Sequence, residues 1–213
     1  MPDPCPKCKG AKHVLTDDGY ERCPCLVEEQ RQRRIGRAGI PAYLADHTLK
    51  DWRKDHPKTD NIVGAVVDWI KAVAERSYPR CFCLAGQSGS GKQTLACLVL
   101  RLCIDKGFTG KIVTLDDLVQ DRFEDGTLYD QTMASDVAYL RLGMESDHKL
   151  NPLLLEKVHF GRKAAKKPTL YTTRVDNQNV FERKYGKVLW AAFWQAGRDV
   201  NVWDLGLRRE VVP

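Results

Sequence analysis

The sequence predicts an α/β protein: a mainly parallel sheet covered by helices on both faces, with a small module in front of it. Three observations lead to this class. From residue 61 onward, short apolar runs alternate with stretches of helical spacing, the rhythm of strand–helix–strand units. The runs are continuously apolar instead of alternating, as strands covered on both faces require. Ahead of them, four of the eight cysteines crowd into the first 25 residues, a stretch with almost no apolar periodicity that cannot build a core of its own.

Taken in order, residues 26–38 (LVEEQRQRRIGRA) read as a polar, basic helix ended by Gly39 and Pro41. Residues 40–60 read as an irregular polar connector carrying Trp52. The spacing of Ile62, Val66, Trp69, Ile70 and Val73 predicts a helix over 61–76. Strands are expected at 81–85, 111–115, 137–142, 169–173 and 199–203. Helices are expected at 91–106, 116–123, 150–164 and, for the most part, 178–196. The organisation is then a cysteine module with its basic helix over 1–38, a connector over 39–60 and one α/β domain over 61–213, with no internal repeat or low-complexity tract.

The chain of 213 residues is long enough for one domain of about 150 residues and a small appendage. No run of about 18 apolar residues is present to span a membrane, and MPDPCPKCKG lacks the apolar stretch of a secretory leader. A cytoplasmic location is therefore expected. The net charge of +6 mildly favours a polyanionic partner such as DNA or RNA, although many enzymes are equally basic.

The leading cysteines follow the pattern C-x₂-C-x₁₄-C-x-C. Zinc takes four soft or borderline ligands at tetrahedral corners, and two tight cysteine pairs supply them. Cys5, Cys8, Cys23 and Cys25 are the candidate ligands, and His13 is a possible substitute for one of them. Pro6 and Pro24 restrict the two turns, and Gly10 follows the first. Four thiolates close the coordination sphere, so the metal would be structural. The plainer alternative is four thiols in a disordered tail. Arg31, Arg33, Arg34 and Arg37 on the following helix suit a protein or DNA contact, and equally a solvated face. Cys81, Cys83, Cys97 and Cys103 lie in apolar stretches and read as reduced core residues.

Residues 86–94 read G-Q-S-G-S-G-K-Q-T, between an expected strand and an expected helix. That is the context of a P-loop. Gly86, Gly89 and Gly91 let the backbone wrap phosphates with its N–H groups, joined by Gln87, Ser88 and Ser90. The helix N-terminus adds a field favourable to anions. Lys92 would reach the β- and γ-phosphates of ATP or ADP. The residue after the lysine should carry a hydroxyl for Mg²⁺, but here it is Gln93. Thr94 comes next, about 100° further around the helix. The fit of Mg²⁺ is doubtful on these residues.

With the C-P-x-C module, the A-G-I-P segment Ala38–Pro41, a bridging helix and G-x-S-G-S-G-K in this order, the chain resembles the DnaC/DnaI/IstB-like helicase loaders and transposition proteins of the AAA+ class. The resemblance implies a P-loop AAA+-like sheet. It also implies four catalytic groups, which can be sought one at a time. The third strand should end in a pair of acids that hold Mg²⁺ and orient water. Here Val137–Leu140 runs into Arg141, with Glu145 and Asp147 only beyond it. The fourth strand should end near a water-placing Asn. Here Thr172–Thr173 is followed by Arg174, and Asn177 comes three residues late. The arginine finger falls on Ala191–Phe193, and Arg208 or Arg209 matches the sensor arginine.

Phosphoryl transfer depends on positioning and charge neutralisation, so these replacements predict nucleotide binding with weak or no hydrolysis, and no catalytic residue is assigned. Arg141 and Arg174 would stand against the γ-phosphate instead. The resemblance implies a role in DNA replication as loader, adaptor or decoy on a replicative helicase, with possible contact to single-stranded or duplex DNA. The alternative is an active P-loop ATPase regulating transposition or a DNA-directed defence complex, with Asp116, Asp117 or Glu145 as an unconventional acid. For Asp116 and Asp117 helix capping is the simpler role. Trp190, Phe193, Trp194 and Trp203 are candidates for base stacking, with core packing the simpler role.

Overall fold

The computed structural model describes residues 5–55, 60–77, 81–143, 149–174, 178–194 and 200–205. Strands β1 (His13–Thr16) and β2 (Gly19–Arg22) form an antiparallel hairpin, which the sequence did not predict. Helix α1 follows at Pro24–Ala38. It begins earlier than expected, because Pro24 takes the first helical position, where a missing N–H costs nothing. Cys23 is therefore the N-cap and Cys25 lies in the first turn. At the other end Gly39 adopts the left-handed conformation (φ 82°) that closes helices.

The connector expected to be irregular over 40–60 is instead partly helical. Ala42–Leu44 is a 3₁₀ turn and Leu49–Asp55 is helix α2. Its larger apolar residues Ile40, Tyr43, Leu44, Leu49 and Trp52 do not run through as one helical pattern, yet Ile40, Leu44 and Trp52 are buried and Leu49 packs beside them. Thr48 starts α2, its hydroxyl donating to the Asp51 carboxylate at 2.7 Å.

The body alternates as expected through α3 (Asp60–Ala74), β3 (Cys81–Ala85), α4 (Lys92–Asp105), β4 (Gly110–Thr114) and α5 (Leu115–Phe123). It continues with α6 (Thr127–Ala134), β5 (Val137–Arg141), α7 (Asn151–Ala164), β6 (Thr169–Thr173), α8 (Gln178–Tyr185), α9 (Lys187–Trp194) and β7 (Val200–Asp204). Helix α6 was not foreseen. The single helix expected over 178–196 is broken at Gly186, whose φ of 90° suits only glycine without strain.

The five body strands are all parallel, in the order β4-β5-β6-β3-β7. Side chains alternate between the faces. Phe82, Leu84, Val137, Tyr139 and Leu170 point into one core with α1, the connector, α3 and α4. Cys81, Cys83, Ala138, Leu140 and Tyr171 point into the other with α5, α7, α8 and α9. Helix α4 is covered on nearly every side, so Leu95, Leu98 and Leu100 are all fully buried. Truncating any one of them to alanine costs about 2–5 kcal/mol. The chain leaves β3 toward the far edge at β4, and returns through β5 and β6 to β7 on the other side of β3. Ligands of open parallel sheets bind at such a reversal, beyond the carboxyl ends of the strands. No helix among the described residues is long and apolar enough to cross a membrane.

Candidate functional site

The loop between β3 and α4 stands at that reversal. Gly86, Gly89 and Gly91 have φ of 142°, 82° and 77°, which lets the chain turn around a concave face without a Cβ in the way. Gly91 caps α4. Ser90 is buried, and its N–H bonds the Gln87 carbonyl at 3.3 Å. The Lys92 ammonium donates to the same carbonyl at 2.7 Å, folded back along its own loop. Burial, and then the nearby Arg174, lower the lysine's pKa. An anion in the loop would relieve that repulsion.

A cleft of about 410 Å³ opens above the loop, lined by Ser88, Gly89, Gly91, Lys92, Gln93, Thr94, Arg141 and Arg174. Gln93 and Thr94 both border this cleft. Thr94 also faces a neighbouring cavity with Gly39, Pro41, Tyr43, Cys97 and Tyr139.

Arg141 ends β5, in register with Thr114 on one side and Thr172 on the other. Arg174 follows β6. The two strand ends are stitched together where Leu142 N–H donates to the Thr172 carbonyl at 2.7 Å. Gly143 N–H donates to the Tyr185 hydroxyl at 2.8 Å. Gly143 (φ 92°) is pressed so close that a Cβ there would lie 2.9 Å from the Arg174 backbone nitrogen. Glycine at 143 therefore permits the close approach of the Arg174 backbone, a role with no motif to announce it.

Trp52 was also missed. From α2 its indole N–H donates to the Gly91 carbonyl at 3.1 Å, so the connector braces the loop directly. A lone tryptophan in a polar stretch was the available signal.

The remaining candidates divide clearly. Asp117 caps α5: its carboxylate accepts the Thr114 N–H at 2.9 Å, and its own N–H donates to the Thr114 hydroxyl at 3.1 Å. Asp116 is exposed in the same first turn. Phe193 is fully buried, and Trp190 stacks on Trp194 at 4.5 Å, both half-buried against the second core. Ala191 and Ala192 lie on α9 and not at the cleft. Glu145, Asp147, Asn177, Arg208, Arg209 and the Trp203 side chain lie outside the described residues.

The four leading cysteines converge. Cys5 and Cys23 sulfurs are 3.8 Å apart, those of Cys8 and Cys25 are 3.5 Å apart, and all four lie within 4.8 Å of one another. An ion holding four thiolates at about 2.3 Å would space tetrahedral corners about 3.8 Å apart, so the set fits one metal ion. The Cys8 and Lys7 backbone N–H groups draw the Cys5 thiol down to about 6. The Cys23 thiol and burial push Cys25 up to about 12. Four thiolates this close would repel one another, and a cation between them would offset that repulsion. His13 is outside the cluster, its Nδ1 3.4 Å from the Ala11 carbonyl. By contrast burial raises Cys97 to about 11 and Cys103 to about 12, as inert core thiols.

No protein-family model matches the chain, and no curated protein does. Solved structures do match in fold. DnaI aligns with a TM-score of 0.58 at 19% identity, over 78% of this chain and 94% of that one. The DnaC helicase loader aligns with a TM-score of 0.53 at 18% identity, over 66% of this chain and 88% of that one. AMPPCP-bound DnaA from Aquifex aeolicus aligns with a TM-score of 0.56 at 14% identity. That match covers 69% of this chain but only 46% of the DnaA chain. At such identities the likeness speaks for architecture, and the chain has the α/β, P-loop AAA+-like fold with a small cysteine module at its N-terminus.

Proposed function

We propose that this protein binds ATP or ADP in the cleft above residues 86–94, hydrolyses it little or not at all, and acts in DNA replication as a loader, adaptor or decoy on a replicative helicase. The observation that carries the reading is the pairing of a P-loop cleft with Arg141 and Arg174 at the two strand ends. The loop supplies N–H groups, a helix terminus and a lysine for the phosphates. Hydrolysis needs an acid and an amide to hold metal and water, each worth several kcal/mol in the transition state. Two arginines at those positions bind charge but cannot orient a nucleophile. A volume of about 410 Å³ is within the range of nucleotide-sized pockets. The replication side of the reading is supported by the fold shared with DnaI and the DnaC helicase loader. Contact with DNA is part of the same proposal, since a matched structure is DnaA bound to AMPPCP and single-stranded DNA.

Cys5, Cys8, Cys23 and Cys25 are proposed to hold a structural zinc ion, and residues 1–38 to dock the helicase. On the hairpin Leu15 and Tyr20 face each other in register and are 73% and 81% exposed, an apolar pair left uncovered by the described residues.

The test joins two measurements. A fluorescent ATP analogue should bind the full chain and lose at least tenfold in affinity with Lys92→Ala, while phosphate release stays at the level of the buffer. Steady turnover abolished by Lys92→Ala would replace this reading with that of a working ATPase. Replicative helicase should co-purify with the protein, and the double substitution Leu15→Ser, Tyr20→Ser should abolish capture. Undiminished capture would remove the hairpin from the interface.

A further inference from the structure

The charged lining of the cleft among the described residues is Lys92, Arg141 and Arg174, three cations and no carboxylate. Magnesium demands hard oxygen ligands in near-octahedral order, typically one or two protein carboxylates together with phosphates and water. Here the residue after the lysine offers only the Gln93 amide oxygen, and the strand end that should present an acid presents Arg141. A dication placed among three cations is repelled, whereas a bare polyphosphate is attracted by all three. These residues do not fit Mg²⁺.

Arg141 is also equipped for the metal's task. It stands at the carboxyl edge of the sheet between β4 and β6. Its Nε is buried and has no hydrogen-bond partner among the described residues. A buried guanidinium N–H left without an acceptor is costly, and a ligand oxygen would satisfy it. Guanidinium also matches phosphate with two parallel N–H···O bonds, a geometry an ammonium cannot give. Arg174, whose backbone packs closely on Gly143, adds a second positive charge on the adjacent strand end.

Resting on the nucleotide-binding reading above, we infer that the cleft takes the metal-free nucleoside polyphosphate, with Arg141 and Arg174 in the place of Mg²⁺. The site then discriminates against the magnesium complex that ordinary P-loop proteins require. An acid from outside the described residues that recruited a metal would appear as magnesium dependence.

The experiment titrates a fluorescent ATP analogue into the full chain at matched ionic strength, with excess Mg²⁺ and in buffer freed of divalent cations by resin. No chelator is added, so an ion held by the cysteine cluster is not stripped. Affinity without Mg²⁺ should equal or exceed that with it, and Arg141→Met should lose at least tenfold in the metal-free buffer. Arg174→Met, at an exposed position, makes the same measurement should Arg141→Met fail to fold. Binding weaker by threefold or more without Mg²⁺ would overturn the inference and leave nucleotide binding standing. So would unchanged affinity in the arginine variants. Absence of binding in both buffers by folded protein would overturn the nucleotide reading itself.

Discussion

Arg162 on α7 is fully buried, and its guanidinium is consumed by backbone carbonyls. It donates to Thr132 at 2.6 Å, Ser135 at 3.0 Å, Pro168 at 2.9 Å and Asp136 at 3.2 Å, with the Thr169 hydroxyl at 3.0 Å. One side chain thus ties the end of α6 to the starts of β5 and β6. Burial lowers its pKa to about 10, still high enough to keep it charged at neutral pH. Arg162→Leu would remove the guanidinium donors from these carbonyls and should cost about 3–5 kcal/mol, read as a fall in melting temperature. Gly143 is the second residue on which much turns. Alanine there combines an unfavourable φ of 92° with contact on the Arg174 backbone. We expect a loss of about 1–3 kcal/mol in stability. We also expect nucleotide affinity to weaken about tenfold, because Arg174 must move. Full affinity in Gly143→Ala would detach Arg174 from the ligand.

At the scale of elements, the cysteine module and the body stand on different foundations. The hairpin β1–β2 buries little, and beside the sulfur cluster the segment meets α1 through the exposed pair Lys12–Glu29 at 2.6 Å. With the proposed zinc bound by the four cysteines, metal binding of about 10–16 kcal/mol would supply the folding energy of residues 5–23. Removing the metal with a chelator should expose the hairpin amides to hydrogen exchange while those of β3, β5 and β6 stay protected. Retained hairpin protection after verified loss of metal would contradict this account. Helix α1 belongs with the body, since Ile35 and Ala38 are buried in the first core and Arg31 reaches Asp105 of α4 at 2.6 Å. The same contrast explains what the sequence disclosed. The body strands were legible because burial on both faces demands continuous apolar runs, and the P-loop because its glycines, lysine and flanking elements are adjacent in the chain. The hairpin was not, because exposed Leu15 and Tyr20 carry no periodicity. Helix α2 was not, because it is anchored by Leu49 and by a tryptophan whose partner, Gly91, lies 39 residues away. Gly143 was invisible because its constraint is a tertiary contact.

For the molecule as a whole, the cleft is assembled from β3, α4, β5 and the end of β6, and braced by α2 through Trp52. A ligand there is bound only by the folded body, so it must stabilise all these parts together. Nucleotide at a hundredfold its dissociation constant adds about 2.7 kcal/mol, which for a domain of this size raises the melting temperature by roughly 5–11 °C. Among the described residues, none of the hairpin lines the cleft, so the hairpin should gain little from that linkage. Hydrogen exchange followed on one sample should therefore separate two responses: nucleotide slows exchange in β3, α4, β5 and α2 and leaves the hairpin unchanged, and metal does the reverse. Trp52→Ala should weaken the first response while sparing the second, because it removes the brace on Gly91 and leaves the sulfur cluster intact. If either ligand protected both regions alike, module and body would be one cooperative unit. Docking at the hairpin would then be coupled to the state of the nucleotide.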